Sequence, residues 1–195
     1  MLQSQNNKNT YRLGYEQGDC HKQYIHHIVH LFDPWFGVAP KKIIRNTNSG
    51  KQVITWRCQT KTHPEIQNLA DFMYQGNPQQ KKLNPNFINQ HLTPRGLAYW
   101  FMDDGGKSYY GLKRRNGIVF NTDSFDVTEV TKLISGLHNK FKLNCWIKTN
   151  KSRPIIVVSG SSYKIFLSTC GKFIHPSMYY KLPCGGEDIL KVNQI

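Results

Sequence analysis

The sequence predicts an α+β fold of two pseudo-symmetric units, in which antiparallel strands and amphipathic helices alternate. Three observations carry this. The order strand, helix, two-strand ribbon, helix occurs twice along the chain. Within each copy the apolar residues switch between a period of two and a period near 3.6, marking half-buried strands and one-sided helices. Of the 195 residues, 38% are hydrophobic and 12% aromatic, enough for one good core or two small related ones. The first unit is expected over residues 1–80, a linker over 81–92 and the second unit over 93–195.

In the first unit, Tyr11, Leu13 and Tyr15 alternate with polar residues and predict a strand over 11–17. Tyr24, Ile25, Ile28, Val29 and Phe32 follow at helical spacing, predicting a helix over 21–32. Strands over 41–45 and 52–59 flank the turn residues Asn48, Ser49 and Gly50 and form a ribbon. A helix over 64–74 closes the unit, with Pro64 suited to its first turn. The second unit repeats this with a strand over 117–122 and a helix over 127–141. A ribbon of 144–149 with 154–159 and a helix over 163–170 complete it. It also has a leading helix after Thr93-Pro94 that the first unit lacks, where about ten polar residues stand instead.

Charge narrows the function. Lys and Arg number 26 against 12 acidic residues, a net +14 with a pI near 9.6, so the expected partner is a polyanion, nucleic acid first. The apolar stretches fall well short of the ~20 residues of a spanning helix, so no membrane partner is expected. Met1 to Thr10 is polar, with neither a secretory apolar core nor the Arg-rich pattern of a transit peptide. The excess of Lys over Arg and the many Asn residues fit an A/T-rich coding genome. The expected location is therefore an organelle, mitochondrion or chloroplast, that itself encodes the chain without a targeting peptide. Cys20, Cys58, Cys145, Cys170 and Cys184 are scattered without a C-x-x-C pair and read as packing thiols. His26 and His30 are one helical turn apart, but with His27 they read as a polar helix face, since no third ligand is evident.

The leading helix of the second unit carries the chemistry. Thr93 is a good N-cap, Pro94 a good first residue, and Gly105-Gly106 a stop. Leu97 to Met102 is apolar almost all round, which predicts burial. Asp103 and Asp104 then sit in the last turn, where the helix dipole disfavours each by about 0.3–1 kcal/mol. A divalent cation would offset that cost, since carboxylates and free helix carbonyls are the hard oxygen ligands that Mg²⁺ takes. So held, it would make a bound water more acidic and stabilise a phosphodiester transition state. An ordinary solvated Asp-Asp-Gly-Gly turn is the alternative reading.

Leu97 to Gly105 resembles the LAGLIDADG signature of homing endonucleases. The longer string from Leu92 to Lys107 is similar to the second motif of the subgroup containing the yeast mitochondrial omega nuclease. Val53-Ile54-Thr55-Trp56, Asn121-Thr122-Asp123-Ser124-Phe125 and Met178-Tyr179-Tyr180-Lys181-Leu182-Pro183 also match that subgroup. Tyr99 departs from the signature, which has glycine there, and this reduces close helix packing.

The resemblance implies αββαββα-type units, the first N-terminally truncated, with two LAGLIDADG helices at the centre and saddle-shaped antiparallel sheets that grip double-stranded DNA. It implies Mg²⁺-dependent hydrolysis with Asp104 as catalytic and metal-binding acid and Asp103 as a further metal ligand through its carbonyl. Lys181 and Lys82 correspond to the basic residues near the cleavage centres. For DNA binding, the ribbons offer Lys41, Lys42, Arg45, Lys51 and Arg57 in the first unit. The second offers Lys107, Lys113, Arg114, Arg115, Asn121, Lys148, Lys151 and Arg153. Such a ribbon fits the major groove, where Arg and Lys can read guanine and Asn adenine, while most of the charges meet phosphates.

Three functions follow: an endonuclease of a mobile intron, a maturase-like protein that binds intron RNA, or a catalytically dead truncated relic. With one LAGLIDADG helix the second acid must come from elsewhere. An in-frame segment upstream of Met1 would give a monomer, and pairing of two chains a homodimer. With no partner helix, Leu97, Trp100 and Phe101 are expected to be partly exposed.

Overall fold

Alternating strands and one-sided helices pack only if each sheet turns its apolar face to the helices of its own repeat, and the computed structural model has that arrangement twice. It describes residues 2–5, 8–75, 80–81, 86–108, 117–183 and 189. The chain divides into two compact units, Met1–Gln80 and Lys81–Ile195.

The first unit opens with strands β1 (Leu2–Gln5) and β2 (Lys8–Gly18). A 3₁₀ turn leads into α1 (Lys22–Leu31), followed by β3 (Lys41–Asn46), β4 (Gln52–Gln59) and α2 (Pro64–Met73). The sheet is antiparallel, in the order β1-β2-β4-β3. Tyr11, Leu13 and Tyr15 share the face of β2 that meets the helices, as predicted. Tyr11 packs with Ile66 and Ala70 of α2, and Tyr15 stands edge-on to Tyr24 of α1 at 6.3 Å. Thr60 extends the β2–β4 pairing past the strand end, its hydroxyl accepting from Leu13 N–H at 3.0 Å. Pro64 stands in the first turn of α2, and the His63 ring before it accepts from the Glu65 amide.

Short strands β5 (Tyr74–Gln75) and β6 (Gln80–Lys81) pair after α2. The second unit then runs α3 (Phe87–His91), α4 (Pro94–Asp104), β7 (Gly105–Ser108) and β8 (Gly117–Asn121). It continues with α5 (Val127–Phe141), β9 (Cys145–Asn150), β10 (Arg153–Val158) and α6 (Tyr163–Cys170). Its sheet order, β7-β8-β10-β9, repeats that of the first unit. The core is continuous: Phe101 of α4, Phe120 of β8 and Phe166 of α6 meet edge to face, with centroids 5.1–6.4 Å apart.

Two features were invisible to periodicity. Each sheet begins with a hairpin, not a single strand: β1 has Leu2 as its one apolar residue, and β7 holds only glycine, lysine and serine. Such edge strands form through main-chain pairing and carry no alternation to read. The polar lead of the first unit therefore corresponds to β7, while α4 has no counterpart among the described residues of that unit. Within the segment read as a linker, α3 packs on α5. A Cβ on Gly136 would lie 2.7 Å from Cβ of Ile88, and the Lys140 ammonium donates to the carbonyls of Ile88 and Asn89 at 3.1 and 2.8 Å.

Candidate active site and nucleic-acid interface

Thr93 caps α4 as its sequence suggests, its hydroxyl accepting from Gly96 N–H at 3.0 Å. The helix is buried on one side only. Leu97, Ala98, Phe101 and Met102 are fully buried, whereas Gly96, Tyr99 and Trp100 are half-buried and Arg95, Asp103 and Asp104 exposed. The expectations of all-round burial and of partly exposed Leu97 and Phe101 are both corrected. Phe101 is covered by Phe120 of β8 and Phe166 of α6, Leu97 is equally buried, and of the three only Trp100 keeps a partly open position, its ring 4.5 Å from Phe120. Tyr99 stands among Gly96, Trp100 and Asp103 on the half-buried side. Burial raises its phenol pKa, Arg95 opposes this and Asp103 adds to it.

The end of α4 is fixed by Gly105. The chain passes from helix straight into β7, and the Gly105 amide donates back to Phe101. A Cβ on Gly105 would stand 2.5 Å from the Phe101 carbonyl oxygen, so any side chain there forces the backbone apart. Asp103 and Asp104 are thereby held at the surface where the helix ends.

Lys181 comes to that end from far along the chain. It lies in a 3₁₀ segment, Pro176–Lys181, anchored by fully buried Met178 and Leu182. The His175 ring caps this segment by accepting from Ser177 N–H at 3.3 Å, and the His175 amide reaches the Met102 sulfur at 3.1 Å. The Lys181 ammonium then donates to the carbonyls of Met102 and Asp103, the latter at 3.1 Å. A cation on the last carbonyls of a helix offsets the dipole that the two aspartates work against. Burial lowers the Lys181 pKa, while Asp103 and Asp104 pull it back up. The structure thus brings Lys181 to Asp103 and Asp104; Lys82 lies outside the described residues. The Asp103 carbonyl, read as a metal ligand, already accepts from Lys181.

Register sorts the basic residues by face, because directly paired antiparallel residues point the same way. In the first unit Lys41 pairs with Arg57, which pairs with Glu16, and Arg45 pairs with Val53. Lys41, Arg45 and Arg57 therefore share the face turned away from the helices, with Arg12, Glu16 and Thr55. Lys42 pairs with Trp56 and points to the opposite face; Lys51 lies beside the turn closed by Gly50. In the second unit Asn121, Ile155 and Lys148 form one row and Arg153 lies on the same outward face. Lys107 pairs with buried Ile118, so register puts it on the inner face. Lys151 forms the β9–β10 turn with Ser152, both at positive φ. Lys113, Arg114 and Arg115 lie outside the described residues. Sequence reading missed Glu16, and found Thr55 only as part of a matching string, since their place beside the arginines is set by strand register.

Of the cysteines read as packing thiols, Cys58 and Cys170 are buried and Cys145 is half-buried, whereas Cys20 is exposed, which corrects the expectation for it. Burial pushes the Cys58 thiol up to about 11 and that of Cys145 to about 12, and it raises Cys170 too, so these are unreactive thiols. Cys184 lies outside the described residues. His26 lies beside Trp56, with ring centroids 5.6 Å apart. Among the described residues no three His, Cys, Asp or Glu side chains cluster to hold a metal, and no helix is long and apolar enough to cross a membrane.

The fold and site define an α+β protein in which an acidic helix end is steadied by a lysine and the antiparallel sheets are basic on their outward faces. The particular family follows from comparison with known proteins: a model of the LAGLIDADG DNA endonuclease family matches residues 1–166, and the chain belongs to that family. It is 41% identical over 162 residues to probable intron-encoded endonuclease 1 of Wickerhamomyces canadensis, covering 83% of this chain and 69% of that protein. It is 31% identical over 180 residues to the cytochrome b mRNA maturase bI2 of Debaryomyces hansenii, covering 90% and 65%. Among solved structures, the homing endonuclease I-WcaI bound to its DNA recognition sequence superposes with a TM-score of 0.85 at 36% identity, covering 93% of this chain and 79% of that one.

Proposed function

We propose that this chain is a site-specific endonuclease of a mobile intron that binds double-stranded DNA and hydrolyses phosphodiester bonds with Mg²⁺. The observation that carries the proposal is the end of α4, where two exposed carboxylates stand beside Lys181 on a LAGLIDADG scaffold. The intron-encoded and DNA-bound relatives support it, and the lysine and asparagine bias supports an organellar gene.

The donor set fits Mg²⁺, which takes one or two protein carboxylates and fills its remaining positions with water and substrate phosphate. Asp104 is the proposed catalytic and metal-holding acid, with Asp103 beside it. When bound, Mg²⁺ supplies Lewis-acid stabilisation of charge on the phosphate. The chain's own residues do the rest. Gly105 fixes where the carboxylates stand. The Lys181 ammonium, already held on two carbonyls, faces the phosphate and stabilises developing negative charge. Lys82 is proposed for the same role at the second centre. Lys41 and Arg57 in the first unit, and Lys148, Arg153 and Asn121 in the second, contact DNA from the outward sheet faces.

The test is cleavage of a plasmid carrying the intronless allele of the host gene. Linear product in Mg²⁺, none in EDTA and none with Asp104→Asn is the expected result; undiminished cleavage by Asp104→Asn would sink the proposal. The maturase relative, aligned over 90% of this chain, favours a second reading: binding of intron RNA by the same basic surfaces. Tight intron-RNA binding that survives Asp104→Asn, with no DNA cleavage by the parent chain, is its signature.

A further inference from the structure

On the outward face of the first sheet one carboxylate stands among cations. Glu16 of β2 pairs with Arg57 of β4, which pairs with Lys41 of β3. Arg45 of β3 reaches over β4 to meet it. Its guanidinium donates to Oε1 and Oε2 of Glu16 at 2.5 and 3.4 Å, and the Thr55 hydroxyl, between them on β4, donates to Oε1 at 2.7 Å. The arginine side chain therefore lies across the sheet, with both ends of its reach fixed.

A carboxylate on a phosphate-binding surface works against affinity, because it repels the backbone and cancels an arginine's share of counterion release. Its use must lie elsewhere. A guanidinium has five N–H donors in a rigid fork, and two oxygens of one carboxylate leave donors unspent. An arginine held flat in this way, instead of sweeping through solvent, presents those donors in one direction.

We propose that Glu16 is the positioning residue of a base-reading element in which Arg45, held by Glu16 and Thr55, donates its remaining N–H groups to a guanine edge in the major groove. The proposal rests on the DNA-binding reading above. It separates the basic residues of this face by role: Lys41 and Arg57 supply affinity to any sequence, and the neutralised pair supplies discrimination at one base pair. Hydrogen bonds from Arg45 and Thr55 hold the Glu16 carboxyl below the usual glutamate range, so it stays ionised and keeps its hold at neutral pH.

The experiment is selection from a randomised DNA duplex pool, in EDTA so that nothing is cut, with the full chain, Glu16→Gln and Arg45→Lys. The parent chain is expected to enrich a sequence with guanine at the read position. Both variants should lose preference at that base pair alone, by about 5- to 150-fold. Glu16→Gln, which frees the arginine's charge for a phosphate, should also steepen the salt dependence by about one phosphate contact, a slope change of ~0.9. Identical preference profiles for all three proteins overturn the proposal, as does a loss spread evenly over every position. Failure of the parent chain to enrich any duplex removes the DNA-binding reading itself, and the base-reading element with it.

Discussion

At the scale of single residues the site depends on two positions whose side chains do no chemistry or reach it from afar. Gly105 is needed because the Phe101 carbonyl occupies the space of a Cβ. Gly105→Ala is expected to cost about 1–3 kcal/mol of stability by overpacking. It should lower cleavage by about 100-fold, because the adjacent Asp104 is displaced. Thermal unfolding and cleavage rates check both; an unchanged rate would show that the helix end tolerates movement. Lys181 gives a pH prediction. Its folded-state pKa lies below the 10.5 of a free lysine, so the folded protein releases this proton first. Burial of the ammonium thus costs stability at neutral pH, and that cost disappears as pH rises through the window below 10.5. For cleavage the direction is opposite: the cation proposed to stabilise charge on the phosphate is lost in that window. The alkaline limb of the pH–rate profile should fall below 10.5 and move upward in Lys181→Arg. A limb that ignores the substitution assigns it to another group.

At the scale of elements, α3 is a five-residue helix with little stability of its own. It persists because Gly136 lets Ile88 approach α5 and Lys140 binds the carbonyls of Ile88 and Asn89. Replacing a helical glycine by alanine ordinarily stabilises by roughly 0.5–1 kcal/mol. Gly136→Ala should do the reverse, since its Cβ would meet the root of the Ile88 side chain and displace α3, a net loss of about 1–2 kcal/mol. In an Ile88→Ala background the same change should turn neutral or stabilising. A denaturant-based double-mutant cycle decides this, and additivity of the two substitutions would refute it. Other elements show what sequence can deliver. The start of α4 is legible because Thr93 and Pro94 mark it, and the start of α5 coincides with a reciprocal capping box of Asp126 and Glu129. Strands β1 and β7 were not legible, having no apolar alternation to betray them.

At the scale of the molecule, a net charge of +14 and two sheets with basic outward faces make the proposed interaction with DNA an ionic one. If about six phosphates are contacted, affinity for a duplex should fall roughly 1,000-fold between 50 and 200 mM salt. Filter binding across that range measures it, and a flat profile would contradict a phosphate-dominated interface. Local sequence determined much of this protein: the repeat, the helices and their caps, the ribbons, and the misplaced acids at Asp103 and Asp104 that single out α4. These signals lie within a few residues of one another and rest on local periodicity and capping chemistry. Tertiary structure alone decided the rest. Lys181 meets the carbonyl of Asp103 across 78 positions, and Arg45 meets Glu16 across 29. It also decided which side of α4 is buried and which basic residues share an outward face. Those facts depend on strand register and on packing between distant segments, where a shift of one residue turns every side chain to the other face, and no local pattern records them.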